Sequence, residues 1–408
     1  MIKRGQIDIY KILFFSLIVI IILVGIIFAA WKFWPSDKPA HIPATSEILG
    51  AYVEGIPISI KSTGDLWLNT WADDDNIYSS WGDGSGFGKV NTDLGIARIE
   101  GNLPNINGFN LFIEPLLPPS STCDTTNCKD IQNRPDCCIE NDDKPSSLLF
   151  MNKILYAQFH SPLGDPTVGY LAYSNDYGFT WTRLKENSPW TATDIGQRSK
   201  MGSNFRCMFF INMGKNYELN TDGYVYAFGI GREWGWSEDV YLVRVLKDNI
   251  LDYNSYEYFT GLSNGQPTWS LIEAEAVSLD GLTTPAQFSV VYHPGTERYI
   301  IMTEENIYDA PNPWGPWKLT AKWVTSGWRG YQPGIISKDM GENYFWFTIS
   351  GQSESNPDFD IDYNLNLGKI ILELNDGSAE ETSLGSCGDG ICDGTAGEKT
   401  SCPADCHL

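Results

Sequence analysis

Five short runs of similar design constrain this chain most: NIYSSWGD (76–83), ILYAQFHS (154–161), GYVYAFGI (223–230), RYIIMTEE (298–305) and NYFWFTIS (343–350). Each is built around aromatic and β-branched residues, which favour a pleated, half-buried strand over a helix. Each is followed by a candidate partner strand: LGIARIEG, VGYLAYSN, VYLVRVLK, the NIYDAPNPWGPWKL region and LGKIILEL. Five repeats of β type with no helical periodicity predict a five-bladed β-propeller over residues 63–375. Their uneven spacing, roughly 45 to 80 residues, leaves room for large loops. A β-sandwich is the alternative all-β architecture.

One turn supports the propeller independently. SNDYGFTW (174–181) fits the Asp-box pattern S-x-D-x-G-x-T-W, read as Ser174, Asp176, Gly178, Thr180 and Trp181. In such a turn the Asp accepts amide hydrogens, the Gly takes a positive φ, and the Trp packs beneath. Its role is structural, so it is kept out of the site. Residues 115–147 break the repeat with a polar, Cys-bearing insertion, and 35–62 read as a linker into the first strand.

The apolar run Ile12 to Ala30 is long enough to span a bilayer. Lys3, Arg4 and Lys11 precede it, which places the N-terminus inside and everything after Trp34 outside. The expectation is a single-pass anchor within residues 1–34, with secretion if the segment is cleaved as a signal peptide. Nine cysteines fit an exported chain. Cys123, Cys128, Cys137 and Cys138 form one group of four, and Cys387, Cys392, Cys402 and Cys406 another. Both read as disulfide sets of open connectivity, with zinc as the alternative. Cys207, in FRCMFF, reads as a buried thiol.

Residues 376–408 form a linker and a Cys-rich mini-module suited to a structural or attachment role. Its Asp389, Asp393, Glu398 and Asp405 could hold calcium. Otherwise no cofactor is called for, and no protein partner is predicted. A net charge of −23 with no basic run beyond the N-terminus excludes nucleic acid and disfavours anionic lipid surfaces. Only four His occur, with no HExxH, no Ser/His/Asp order and no phosphate-cradling loop.

The chemistry concentrates in residues 64–88, GDLWLNTWADDDNIYSSWGDGSGFG. A hairpin centred on Asp74 pairs position i with 148 − i and sets Asp65 opposite Asp83. Like charges so opposed are destabilising, and a carboxylate pair of that kind suits glycosidic cleavage, one acid and one nucleophile or base. A register slip of one residue would part them. Other candidates flank the same strand ends and suit sugar hydroxyls or stack on sugar rings. They are Trp71, Trp81, Asn204, Arg206, Arg232, Glu233, Trp234, Glu304, Arg329, Tyr331 and Gln332.

With those residues in view, the stretch from about 60 to 375 resembles the domain-of-unknown-function 4185 family. The phrases that carry it are GDLWLNTWADD, YSSWGDGSGF, GSNFRCMFFINMGKNYE, DGYVYAFG, VVYHPGTERYI, DAPNPWGPW and WRGYQPG. The resemblance implies a five-bladed propeller related to glycoside hydrolases, endo-D-arabinanases among them. It further implies a catalytic pair of two Asp, one near the start of the first inner strand and one in a following GD turn. Asp65 and Asp83 match those positions. The function expected is therefore a membrane-anchored extracellular glycoside hydrolase acting on a polysaccharide. A glycan-binding or surface-adhesion propeller without chemistry is the alternative. It draws on the abundant Trp and Tyr, the adhesion-like tail, and GDGSGF where family enzymes read GDTF.

Overall fold

The computed structural model describes residues 47–113, 144–160, 169–183, 204–231, 234–352 and 360–375. The anchor, both four-cysteine groups, the tail acids, Arg232 and Glu233 lie outside them. Among the described residues no helix is long and apolar enough to cross a membrane.

Five separate antiparallel sheets make the fold, as the five repeats predict. Blade 1 holds β2 (Thr63–Asp65), β3 (Asn69–Trp71), β4 (Ile77–Gly86), β5 (Thr92–Asn102) and β6 (Asn105–Ile113). Blade 2 follows with β7 (Lys144–Met151), β8 (Ile154–His160), β9 (Gly169–Ser174) and β10 (Thr182–Arg183). Blade 3 is the largest: β11 (Cys207–Phe210), β12 (Tyr224–Ile230), β13 (Trp234–Leu246), an added hairpin of β14 (Glu257–Ser263) and β15 (Gln266–Ser270), and β16 (Ser278–Ala286). Blade 4 comprises β17 (Ser289–His293), β18 (Arg298–Met302), β19 (Asn306–Ala310) and β20 (Lys318–Lys322). Blade 5 comprises β21 (Tyr331–Ile336), β22 (Tyr344–Ser350) and β23 (Asn366–Leu374), and its outer strand is β1 (Ile48–Ser59). Residues 48–59 are thus not linker. They pair antiparallel with β23 from Ile48↔Leu374 to Ser59↔Asn366, so the two ends of the propeller sequence close one sheet. Likewise the insertion yields its last four residues to β7.

Large apolar clusters fill the spaces between neighbouring sheets. Leu148, Phe150 and Phe159 of blade 2 meet Tyr78, Leu94 and Ile96 of blade 1. Trp67 and Trp81 of blade 1 meet Ile336, Leu365 and Leu367 of blade 5. Burying each such side chain is worth about 1.5–3 kcal/mol, and sheets packed on both faces explain the near-continuous apolar runs of the inner strands.

Around the axis, hydrogen bonds join every innermost strand to the next. Phe150 N donates to Thr70 Oγ1 (3.0 Å), Ser147 Oγ to Met208 O (2.8 Å) and Asn212 N to Val290 O (3.2 Å). Ile335 N donates to Ser289 Oγ (2.8 Å), and Asn69 Nδ2 to Gly334 O (3.3 Å), which completes the circuit. The innermost strands therefore run parallel about the axis, and their N-terminal ends all open on one face.

Candidate active site

Five polar side chains stand at or beside those N-terminal ends, all buried: Asp65, Lys144, Arg206, Gln287 and Gln332. Each precedes or begins the innermost strand of a different blade. Backbone irregularities gather at the same ends. The ladders shift register between Thr63 and Asp65, between Pro145 and Ser147, and between Tyr331 and Gly334. Leu66, Asp83 and Gln332 adopt left-handed backbone at φ of 52°, 47° and 47°. Such conformations cost about 1–3 kcal/mol each in a non-glycine residue, and bulges re-aim side chains beside active sites.

The blade 1 hairpin follows the predicted register only near its turn, where Asn69↔Ser79, Thr70↔Tyr78 and Trp71↔Ile77 pair. The left-handed Leu66 then displaces the strand, and Asp65 falls opposite Gly82, not Asp83. A side chain at that position would collide with Asp65, because a Cβ on Gly82 would lie 2.8 Å from Asp65 Oδ1. Asp83, one residue on and in left-handed backbone, still faces the same carboxyl closely enough for its charge to act on it.

Asp65 is 4% exposed, and its Oδ1 has no hydrogen-bond partner among the described residues. Burial, reinforced by the Asp83 charge, holds its carboxyl well above the usual carboxylate range; Lys144 and Tyr363 only partly offset this. Asp83 is half exposed and accepts from Lys144 Nζ at 2.5 Å. The Tyr363 hydroxyl donates to Asp83 main-chain O at 2.9 Å and lies 3.4 Å from Asp65 Oδ2. That hydroxyl stands within donating distance of both oxygens, so it bridges the Asp83 main chain and the Asp65 carboxyl. The pair thus has unlike environments: one carboxyl buried and proton-retaining, the other solvent-facing and matched to a cation. That division is what acid catalysis beside a nucleophile or base requires.

Next to it, His160 is fully buried, with Nδ1 2.7 Å from Ser146 Oγ. Burial and the charges of Arg206 and Lys144 push its imidazole well below the usual histidine range, so it stays neutral. On blade 4, Glu304 follows β18 and lies within reach of the Gln332 backbone N–H. Burial outweighs that hydrogen bond and raises its carboxyl to about 7.

The remaining predicted residues divide. Arg206, Glu304, Tyr331 and Gln332 gather at this face; Tyr331 and Gln332 are buried, Asn204 half-buried and Arg329 exposed. Trp81 is a correction: it is fully buried, stacked on Trp67 with ring centroids 6.2 Å apart and packed on Gly95, so its face is closed to a sugar. Trp71 is another. It lies at the opposite end of the hairpin, where its Nε1 donates to Asp75 Oδ1 (3.2 Å) beneath Lys215. Trp234 begins β13, paired with Ala286. No cluster of His, Cys, Asp and Glu able to hold a metal occurs among the described residues.

Sequence reading missed Lys144, Gln287 and Tyr363. Lys144 was hidden by an insertion boundary placed four residues too late. Gln287 sits between two strands with no pattern to mark it, and Tyr363 belongs to the loop before β23. Only the repeat phase, extended backward from each long strand to its short predecessor, could have found the first two.

No curated protein matches the sequence. Among solved structures, a putative hydrolase from Bacteroides ovatus ATCC 8483 is 12% identical at a TM-score of 0.46, over 76% of this chain and 86% of that one. A GH43_1 enzyme from Xanthomonas citri is 12% identical at 0.42, covering 81% and 90%. The catalytic domain of a Coprinopsis cinerea GH62 α-L-arabinofuranosidase is 10% identical at 0.40, covering 81% and 98%. Residues 145–358, just over half of the chain and all downstream of Asp65 and Asp83, match a family described as "Domain of unknown function (DUF4185)". The chain belongs to the DUF4185 family.

Proposed function

We propose that this protein is an extracellular, membrane-anchored glycoside hydrolase that cleaves a polysaccharide at the face bearing Asp65 and Asp83. One observation carries the reading. A buried carboxyl, with an unpartnered oxygen and a raised proton affinity, stands beside a solvent-facing carboxylate at the convergent end of five innermost strands. Asp65 gives its proton to the glycosidic oxygen as the bond to the anomeric carbon breaks. Asp83 either attacks that carbon or takes a proton from the water that does. Lys144 keeps Asp83 oriented, and Tyr363 ties the Asp83 backbone to the Asp65 carboxyl. Arg206 and Arg329 serve sugar hydroxyls around the pair. Residues 12–30 anchor the chain with the propeller outside, and furanose polysaccharides of the arabinan type are the first substrates to try.

The test is Asp83→Asn in the full chain, scored by new reducing ends. Turnover should fall by about 10²–10⁴-fold with the melting temperature kept. Unchanged turnover would overturn the assignment, and saturable binding without new reducing ends in the wild type would replace it with a binding propeller.

A further inference from the structure

A second polar cluster occupies the same face on blades 4 and 5. Gln287 is fully buried and Gln332 is 1% exposed, and neither Oε1 nor Nε2 of either side chain has a partner among the described residues. Ser350, the last residue of β22 and paired with Tyr331, carries a buried Oγ in the same condition. The register brings these residues to one level. Ser289 Oγ accepts from Ile335 N, so β17 and β21 run side by side there, with Gln287 and Gln332 two and three residues earlier in each. Ser289 also pairs with Met302, and continuing that ladder sets Gln287 across from Glu304. Glu304 in turn faces the Gln332 backbone N–H.

Leaving a buried amide unsatisfied costs about 1–3 kcal/mol per group, and Gln332 adds a left-handed backbone held by a bulge. A core that needed only to be filled would place Leu or Met at these positions at lower cost. Four unused amide atoms, two donors' worth of NH₂ and two acceptors, match a ligand that both donates and accepts hydrogen bonds and bears no charge.

We propose that Gln287, Gln332 and Ser350, with Glu304, form a subsite for an uncharged, hydroxyl-rich ring: a neutral sugar residue of the chain whose cleavage is assigned above to Asp65 and Asp83. The subsite rests on that reading only for the order of events. Its binding can be measured without hydrolysis.

Isothermal titration of the full chain, carried as Asp83→Asn to stop turnover, against neutral pentose and hexose trimers and a uronic acid trimer separates the outcomes. At least one neutral trimer should bind, and the uronic acid trimer should bind at least tenfold more weakly. Gln287→Met and Gln332→Met, which keep volume and lose every polar atom, should each weaken binding by about tenfold or more. In the hydrolytically competent chain the same substitutions should raise KM and leave kcat within about threefold. Equal binding by the Met variants, preference for the charged trimer, or no binding by any trimer would overturn the subsite. Neutral trimers bound through both glutamines, without hydrolysis by the wild type, would keep it and remove the hydrolase assignment.

Discussion

The two ends of the innermost strands carry acids in opposite circumstances. At the far end, beyond the strands' C-termini, the turn acids Asp74 and Asp75 are occupied. Asp74 accepts from Asn76 N (3.1 Å) and Tyr78 Oη (2.8 Å), and Asp75 from Lys215 (3.1 Å) and Lys338 (3.3 Å). Hydrogen bonding and the charges of Lys215 and Lys338, set against slight burial, hold the Asp75 carboxyl below its usual range. In the turn at 174–181, Asp176 accepts from Thr180 N (2.8 Å) and Ser174 Oγ (2.7 Å), and Trp181 Nε1 donates to Gly178 O (3.0 Å). At the open end, Asp65 and Glu304 have raised proton affinity, Asp65 Oδ1 is unpartnered and two glutamines use none of their amide atoms. The number of carboxylates says little about chemistry; their unmet demand says much more. Far-end acids stabilise turns, and open-end acids are kept in states that folding alone disfavours.

Asp65→Asn should break this contrast most visibly. Turnover should drop by about 10²–10⁴-fold, while the melting temperature at pH 8 holds or rises, because the variant no longer buries an ionisable carboxyl. Lys338→Met should do the reverse. Lys338 Nζ donates to Asp75 O (2.7 Å) and Gly101 O (3.0 Å) and pairs with Asp75 while nearly buried. Its loss should cost about 1–3 kcal/mol of stability, read from denaturant midpoints, with kcat unchanged.

Glu304→Gln sharpens the comparison through pH. The folded carboxyl binds its proton more tightly than the unfolded one, with a value raised from 4.5 to about 7. Its contribution is therefore full below pH about 4.5 and is lost as pH rises through about 7. Stability of the wild type relative to Glu304→Gln should decline across that window. A flat difference would show that Glu304 ionises without penalty. The smallest effect belongs to Asp176→Ala, about 1 kcal/mol, with turnover untouched.

Much of this was readable from residues. The five repeats and the turn acids at 73–75 follow from alternation and local turn chemistry, which act over a few positions. The outer strand 48–59 was not readable, because only Ile48 of it is buried and Gly50, Gly55 and Pro57 blunt its pattern. The Asp65 register was missed for a different reason. The 148 − i pairing holds up to Asn69 and then fails at Leu66, whose positive φ no local propensity announces. Gln287 and Gln332 are ordinary loop-edge polar residues in sequence. Their meaning comes from neighbours 17 to 45 positions away.

The central claim is that Asp65 keeps its proton because it is buried beside Asp83. Carboxyl ¹³C titration of Asp65 in the wild type and in Asp83→Asn tests this directly. The account predicts a wild-type midpoint well above the ordinary aspartate range, and a lower midpoint in the variant. A wild-type midpoint near 4, or one that does not move when Asp83 is neutralised, would contradict it.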